Sequence, residues 1–108
     1  MTTGTLHVVI EAGDAATVLR LCGDIDGTAD VPLAVAYDDV TSAGVRTVVL
    51  DFEHTAYINS SGIAVIVGLL ARARAQGVRL SARGVCEHYR EIFEITRLAD
   101  FLTIADTR

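Results

Sequence analysis

The run Thr-Val-Val-Leu-Asp-Phe at residues 47–52 is the tightest constraint on the fold. Its continuous apolar stretch suits a strand that is central in a sheet or covered on both faces. A loop over residues 53–59 leads to a long helix over 60–76, in which Ile63, Ile66, Val67, Leu70 and Ala73 fall on one face. Gly77 stops that helix, and residues 78–82 form another strand. Strand, helix and strand in that order make a crossover unit, which joins parallel strands.

The flanking sequence extends the unit on both sides. Residues 6–12 are apolar and rich in β-branched side chains, Gly13 and Asp14 mark a turn, and residues 17–21 alternate, so the chain opens with a hairpin. Breakers at 23–27 precede a helix in which Pro32 fits the first turn, where its missing N–H costs nothing. Leu33, Ala36 or Tyr37, and Val40 share one face of that helix, Asp38 and Asp39 point outward, and Gly44 ends it. A last helix over 87–96 turns Tyr89, Ile92, Phe93 and Thr96 inward, and residues 101–104 finish as a short strand. The order β-β-α-β-α-β-α-β predicts an α/β fold: a mixed sheet of four to five strands with amphipathic helices packed on it. A length of 108 residues suits a single domain over 1–108.

Composition narrows the function classes. The chain is 51% hydrophobic with one Pro, which supplies a core and excludes a disordered chain. Its net charge is -5 and it contains no Lys, a poor match to nucleic acid, whose phosphates select clustered positive charge. Arg72, Arg74, Arg79, Arg83, Arg90 and Arg97 read as a solvated basic face, or as a dock for an acidic partner. No apolar run approaches the roughly 20 residues that cross a bilayer, and the N-terminus lacks the basic and apolar regions of a signal peptide. The expectation is a cytoplasmic protein without a membrane partner. Cys22 and Cys86 make no disulfide framework and read as small buried apolar residues.

Catalysis finds little support. Ser60 or Ser61 with His7, His54 or His88 are the candidates for an activated nucleophile, yet the Gly-x-Ser-x-Gly elbow is absent and no acid is placed to orient His54. Without Lys there is no P-loop, and no His-Glu-x-x-His or Cys/His array suggests zinc. Neither a catalytic residue, a metal nor a cofactor is expected.

The informative segment is Ala-Tyr-Ile-Asn-Ser-Ser-Gly-Ile at residues 56–63, where a loop enters the long helix. Asn59 or Ser60 suits the N-cap, accepting from a free backbone N–H of the first turn. The same geometry exposes a hydroxyl at the positive end of the helix dipole, where an added phosphate is electrostatically tolerated. Asp24 and Asp26, after the second strand, read as turn-capping residues or as contacts for a partner at that end of the molecule. Ile63, Val65 and Leu69 cannot all face one core, which leaves an apolar strip for a partner.

Four parts of the chain, in order, resemble the STAS domains of anti-sigma factor antagonists and of sulfate-transporter tails. They are Leu-Cys-Gly-Asp-Ile-Asp at 21–26, the strand at 47–52, Asn-Ser-Ser-Gly-Ile at 59–63, and the final helix and turn over 90–102. The resemblance implies a protein-binding switch of the anti-sigma factor antagonist type, not an enzyme. Its unphosphorylated form would bind an anti-sigma factor that is itself a serine kinase, releasing a sigma factor. Phosphorylation at Ser60, with Ser61 as the alternative, would switch binding off. Asp24, Asp26, Asn59, Ser60, Ser61, Gly62 and Ile63 would contact the partner, and the protein would act as a monomer or weak dimer. Two departures stand out: Asn59 replaces the family Asp, and Arg97 replaces the Gly of the family's late turn. A phosphorylation-independent scaffold, or a STAS domain holding a nucleotide or other anion at the helix N-terminus, are the alternatives.

Overall fold

A computed structural model of the chain describes residues 6–95 and 103–104. Two antiparallel strands, β1 (His7–Ala12) and β2 (Thr17–Ile25), open it in a register that sets Ile10 opposite Leu19 and Val8 opposite Leu21. Strand alternation sends Leu19 and Leu21 into the core and Val18, Arg20 and Cys22 to the other face. A 3-10 turn (Gly27–Ala29) leads into α1 (Asp30–Ser42). There follow β3 (Thr47–Asp51), β4 (Thr55–Ile58), α2 (Ser60–Gln76), β5 (Arg79–Arg83), α3 (Glu87–Ile95) and β6 (Thr103–Ile104). Strands lie in the order β1-β2-β3-β5-β6, with β1 antiparallel to β2 and the other pairings parallel, so the expected mixed α/β sheet forms.

Each crossover from β2 onward steps the same way across the sheet, and right-handed crossovers then place their helices on one face. Leu33, Tyr37 and Val40 of α1, Ile66 and Leu70 of α2 and Phe93 of α3 accordingly share one core with Leu19, Leu21, Val48, Leu50, Leu80 and Ala82 of the sheet. Phe93 meets Phe52 edge to face, ring centroids 5.9 Å apart.

The structure departs from the sequence reading at five places. Strand β2 runs on through Gly23 and Asp24 to Ile25 instead of breaking at residue 23. Gly23 takes a φ of 119° where the register shifts, a conformation open to glycine, and the strand bends without ending. The continuation finds a partner in β4, within the segment expected to be loop: Gly23 N donates to His54 O at 3.1 Å and Thr55 Oγ1 to Leu21 O at 2.9 Å. On α2, Ile66, Leu70 and Ala73 face inward as expected, but Val67 is 46% exposed and Leu69 is buried in its place. Leu69 lies three residues after Ile66 and four before Ala73, on their stripe, whereas Val67 is turned about 100° from Ile66. Cys22 is half-buried and Cys86 exposed, both as free thiols, so neither is a core residue. Finally, Arg72 and Arg83 belong to no uniformly solvated basic face. Arg72 pairs with Asp38 and sits 4.9 Å over the Tyr37 ring, and Arg83 reaches Asp51 at 3.3 Å.

In α3, Phe93 is buried while Tyr89 and Ile92 are half-buried. Thr96 and the Arg97 turn lie outside the described residues. Among the described residues no helix is long and apolar enough to cross a membrane.

Candidate functional site

The end of β2 and the start of α2 meet because β4 pairs with the tail of β2, setting Asp24 beside Tyr57 and Ile25 beside Ile58. Asn59 N donates to Ile25 O at 3.2 Å, which ties the last residue before the helix to the last residue of β2. Asn59 is then the N-cap of α2: extended in backbone, it accepts from Gly62 N through its side-chain oxygen at 2.8 Å, and its own carbonyl accepts from Ile63 N at 2.9 Å. The cap expected from the sequence is therefore Asn59, and Ser60 is the first helical residue.

Gly62 is where the two elements press closest. A Cβ on Gly62 would lie 1.9 Å from Ile25 O, so only glycine lets the first turn of α2 sit against the end of β2. This packing turns Ser60 and Ser61 outward, where both are exposed, and leaves Ile63 half-buried. Ser61 adjoins the 3-10 turn, its Cβ 3.6 Å from the position a Cβ on Gly27 would take.

Asp26 caps that turn. Its Oδ1 accepts from Thr28 Oγ1 at 2.5 Å and from Thr28 N at 2.9 Å, and these bonds, the hydroxyl first, hold its carboxyl below the ordinary Asp range. Asp24, by contrast, is a half-buried residue within β2. The seven residues singled out in the sequence thus converge on one end of the molecule, on β2, the 3-10 turn and the first turn of α2.

A participant the sequence reading did not connect with this site is Tyr89 of α3. Its hydroxyl accepts from Ile58 N at 3.0 Å, fixing the backbone one residue before the cap. Only its place on the inward face of α3 hinted at the contact. Beside the site, α1 and α2 diverge into a groove of about 410 Å³, lined by Leu33, Ala34, Ala64, Val65, Gly68 and Leu69. Val65 and Leu69, two members of the anticipated apolar strip, lie along it. Among the described residues, no three His, Cys, Asp or Glu side chains come together as a metal site.

Chemically, the arrangement offers two exposed hydroxyls on the first turn of a helix, whose unpaired N–H groups favour negative charge.

Comparisons with known proteins agree with this architecture. A curated relative, the anti-sigma-B factor antagonist of Staphylococcus aureus, is 23% identical over 99 residues, covering 92% of each chain. An anti-sigma factor antagonist from Mycobacterium paratuberculosis has the same fold, with a TM-score of 0.77 at 17% identity over 95% of this chain and 87% of that one. So does the anti-sigma factor antagonist SpoIIAA in its unphosphorylated form, with a TM-score of 0.73 at 20% identity, over 94% of this chain and 88% of that one. The sequence profile described as "Mlab, STAS domain" matches residues 8–104, nearly the whole of the sheet and helices described above, and the chain belongs to the STAS domain family.

Proposed function

We propose that this chain is an anti-sigma factor antagonist whose unphosphorylated form binds an anti-sigma factor with serine kinase activity and so releases a sigma factor. The observation that carries the reading is the exposure of Ser60 on the first turn of α2, directly after the Asn59 cap. The relatives named as anti-sigma factor antagonists support the same role.

Phosphorylation of Ser60 adds about 1.5 to 2 negative charges and three acceptor oxygens. Within the domain the N-terminus of α2 accommodates that charge. Across a contact that charge has to be desolvated, which costs several kcal/mol unless the partner supplies a cation. The modified chain then leaves its partner while staying folded.

Capture from the source cell with wild type, Ser60→Ala, Ser60→Glu and a Ser61→Ala control tests the reading. Wild type and Ser60→Ala are expected to retain an ATP-binding anti-sigma kinase, and Ser60→Glu to lose it by at least about tenfold, the equivalent of 1.4 kcal/mol. Equal retention by Ser60→Ala and Ser60→Glu refutes the switch. That outcome favours a second reading, a phosphorylation-independent interaction module, which Asn59 supports by placing a neutral amide where the resemblance places a carboxylate.

A further inference from the structure

Ser60 follows a segment that the fold holds from two sides. On the inner side β4 pairs with β2: Gly23 N donates to His54 O at 3.1 Å and Asn59 N to Ile25 O at 3.2 Å. Neighbouring amides of an extended chain point to opposite edges, so Ile58 N, one residue before Asn59 N, faces away from β2. Among the described residues no strand pairs with β4 on that outer edge. Ile58 is buried, and a buried amide needs an acceptor. The hydroxyl of Tyr89 supplies it at 3.0 Å.

Helix α3 grips the segment at a second place. Phe93, four residues after Tyr89 and therefore on the same face of the helix, meets Phe52 edge to face at 5.9 Å. Phe52 lies between β3 and β4, and Ile58 is the last residue of β4, so the two contacts bracket β4 and the turn that leads into it. That turn is closed by the bonds from Phe52 N to Arg83 O at 2.9 Å and from Thr55 N to Phe52 O at 3.0 Å. β2 thus holds β4 along one edge, and α3 holds the segment at its two ends.

The hold of α3 is releasable. The helix has nine residues, too few to be stable alone in water, and Phe93 is the one buried residue described on it. An element of this kind opens at a lower free energy than the core. We propose that α3 regulates the Ser60 site, with Tyr89 as the positioning residue. Docked, α3 keeps the chain before the cap extended; undocked, it frees the start of α2. The link is short, because Ile58 N and Asn59 N belong to consecutive peptide groups. Asn59 caps Gly62 N only from an extended backbone, here with φ −99° and ψ −177°. The regulatory role rests on the reading of Ser60 as the switch, whereas the coupling of α3 to the cap does not.

Hydrogen exchange of the full chain, followed by NMR, reads the coupling. Tyr89→Phe keeps the ring and removes the acceptor. Exchange is expected to rise about tenfold at Ile58, and to rise also at Asn59 and Gly62, whose own acceptors, Ile25 O and the Asn59 side chain, are untouched. Tyr37→Phe is the matched control. It removes a hydroxyl that donates to Gln76 Oε1 at 2.7 Å, at the other end of α2 and about 24 Å along the helix from Ser60. Rates in each variant are referred to the slowest amides of the sheet, which report global unfolding. At Asn59 and Gly62, a rise in Tyr89→Phe at least about threefold beyond that in Tyr37→Phe supports the proposal. A smaller excess, or an effect confined to Ile58, overturns it.

Coupling between two sites is reciprocal. Asn59→Ala, which removes the cap, is therefore expected to speed exchange at Phe93 N by at least about threefold against the same sheet amides, and an unchanged α3 overturns the proposal. In the capture described above, Tyr89→Phe is expected to retain the anti-sigma kinase at least about threefold less than wild type, although Ser60 and the rest of the exposed first turn are unaltered. Equal retention overturns the regulation of Ser60 by α3. The two readings fail separately. Equal capture by Ser60→Ala and Ser60→Glu, or no kinase captured by wild type, removes the switch, while the exchange pattern decides the coupling of α3 to the cap in either case.

Discussion

Replacing Gly62 by alanine puts a methyl group 1.9 Å from Ile25 O, 2.6 Å from Ile25 C and 3.0 Å from Ile25 Cγ2. Carbon and carbonyl oxygen come no closer than about 3.3 Å even in favourable contacts, so α2 has to retreat from β2 by about 1.4 Å. The obstacle is backbone, which cannot swing aside as a side chain can, and the overpacking cost falls at the upper end of the usual range, about 3 kcal/mol. Retreat also breaks the bond from Asn59 N to Ile25 O, worth about 1 kcal/mol. Alanine returns about 1 kcal/mol through its greater helix propensity, leaving a net loss of about 3 kcal/mol. Urea unfolding followed by circular dichroism reads this directly. With an m-value of about 2 kcal/mol/M, the midpoint falls by about 1.5 M. Gly68→Ala is the matched control, because the same helix leaves its Cβ with nothing within 4 Å, and it should gain about 0.5 to 1 kcal/mol. If both substitutions stabilise alike, the close approach of α2 to Ile25 is refuted.

Asn59→Ala removes the cap on Gly62 N and should cost about 1 kcal/mol, while Asn59→Asp keeps the cap and gains about 0.3 to 1 kcal/mol from the helix dipole; thermal unfolding of the two variants should bracket wild type. Tyr89→Phe strips Ile58 N of its acceptor at a cost of about 1 to 3 kcal/mol, and the Ile58 amide should exchange with solvent faster than its neighbours, a change absent if α3 does not hold this segment. Asp26 has a carboxyl lowered by Thr28, so its contribution to stability is complete above the unfolded value of about 3.9 and is lost as pH falls through the lower folded value. In Thr28→Val the hydroxyl bond is gone and Asp26, followed by carboxyl NMR, should titrate at a higher pH than in wild type; an equal or lower value contradicts the assignment.

Much of the architecture was legible locally. The ends of α2 are written in adjacent residues: Asn59 caps Gly62, and Gly77 returns its N–H to Ala73 and Arg74. The inward face of α1 followed from period alone, since Leu33, Ala36, Tyr37 and Val40 are all buried. Ser60 and Asn59 were likewise visible, because capping chemistry depends on neighbours three or four residues away. Strand β4 was not visible. Thr-Ala-Tyr-Ile carries strand formers but is only four residues long, and it becomes a strand because Gly23 to Ile25 pair with it from elsewhere in the chain. Val67 and Leu69 were exchanged for a related reason: an apolar helix offers several stripes, and the sheet beneath α2 selects one.

By itself, then, the sequence determined the succession of strands and helices apart from β4, the caps that delimit α2 and the position of the two serines on its first turn, since each depends on hydrogen bonds and periodicity within a few residues. Only the tertiary structure decided that Gly62 is the point where α2 packs against Ile25, that Tyr89 holds the segment before the cap, and that Arg20, Asp51 and Arg83 line up across three strands. Those relations join residues far apart along the chain. They exist only once parallel pairing has fixed the register, because a shift of one residue would turn every one of those side chains to the opposite face.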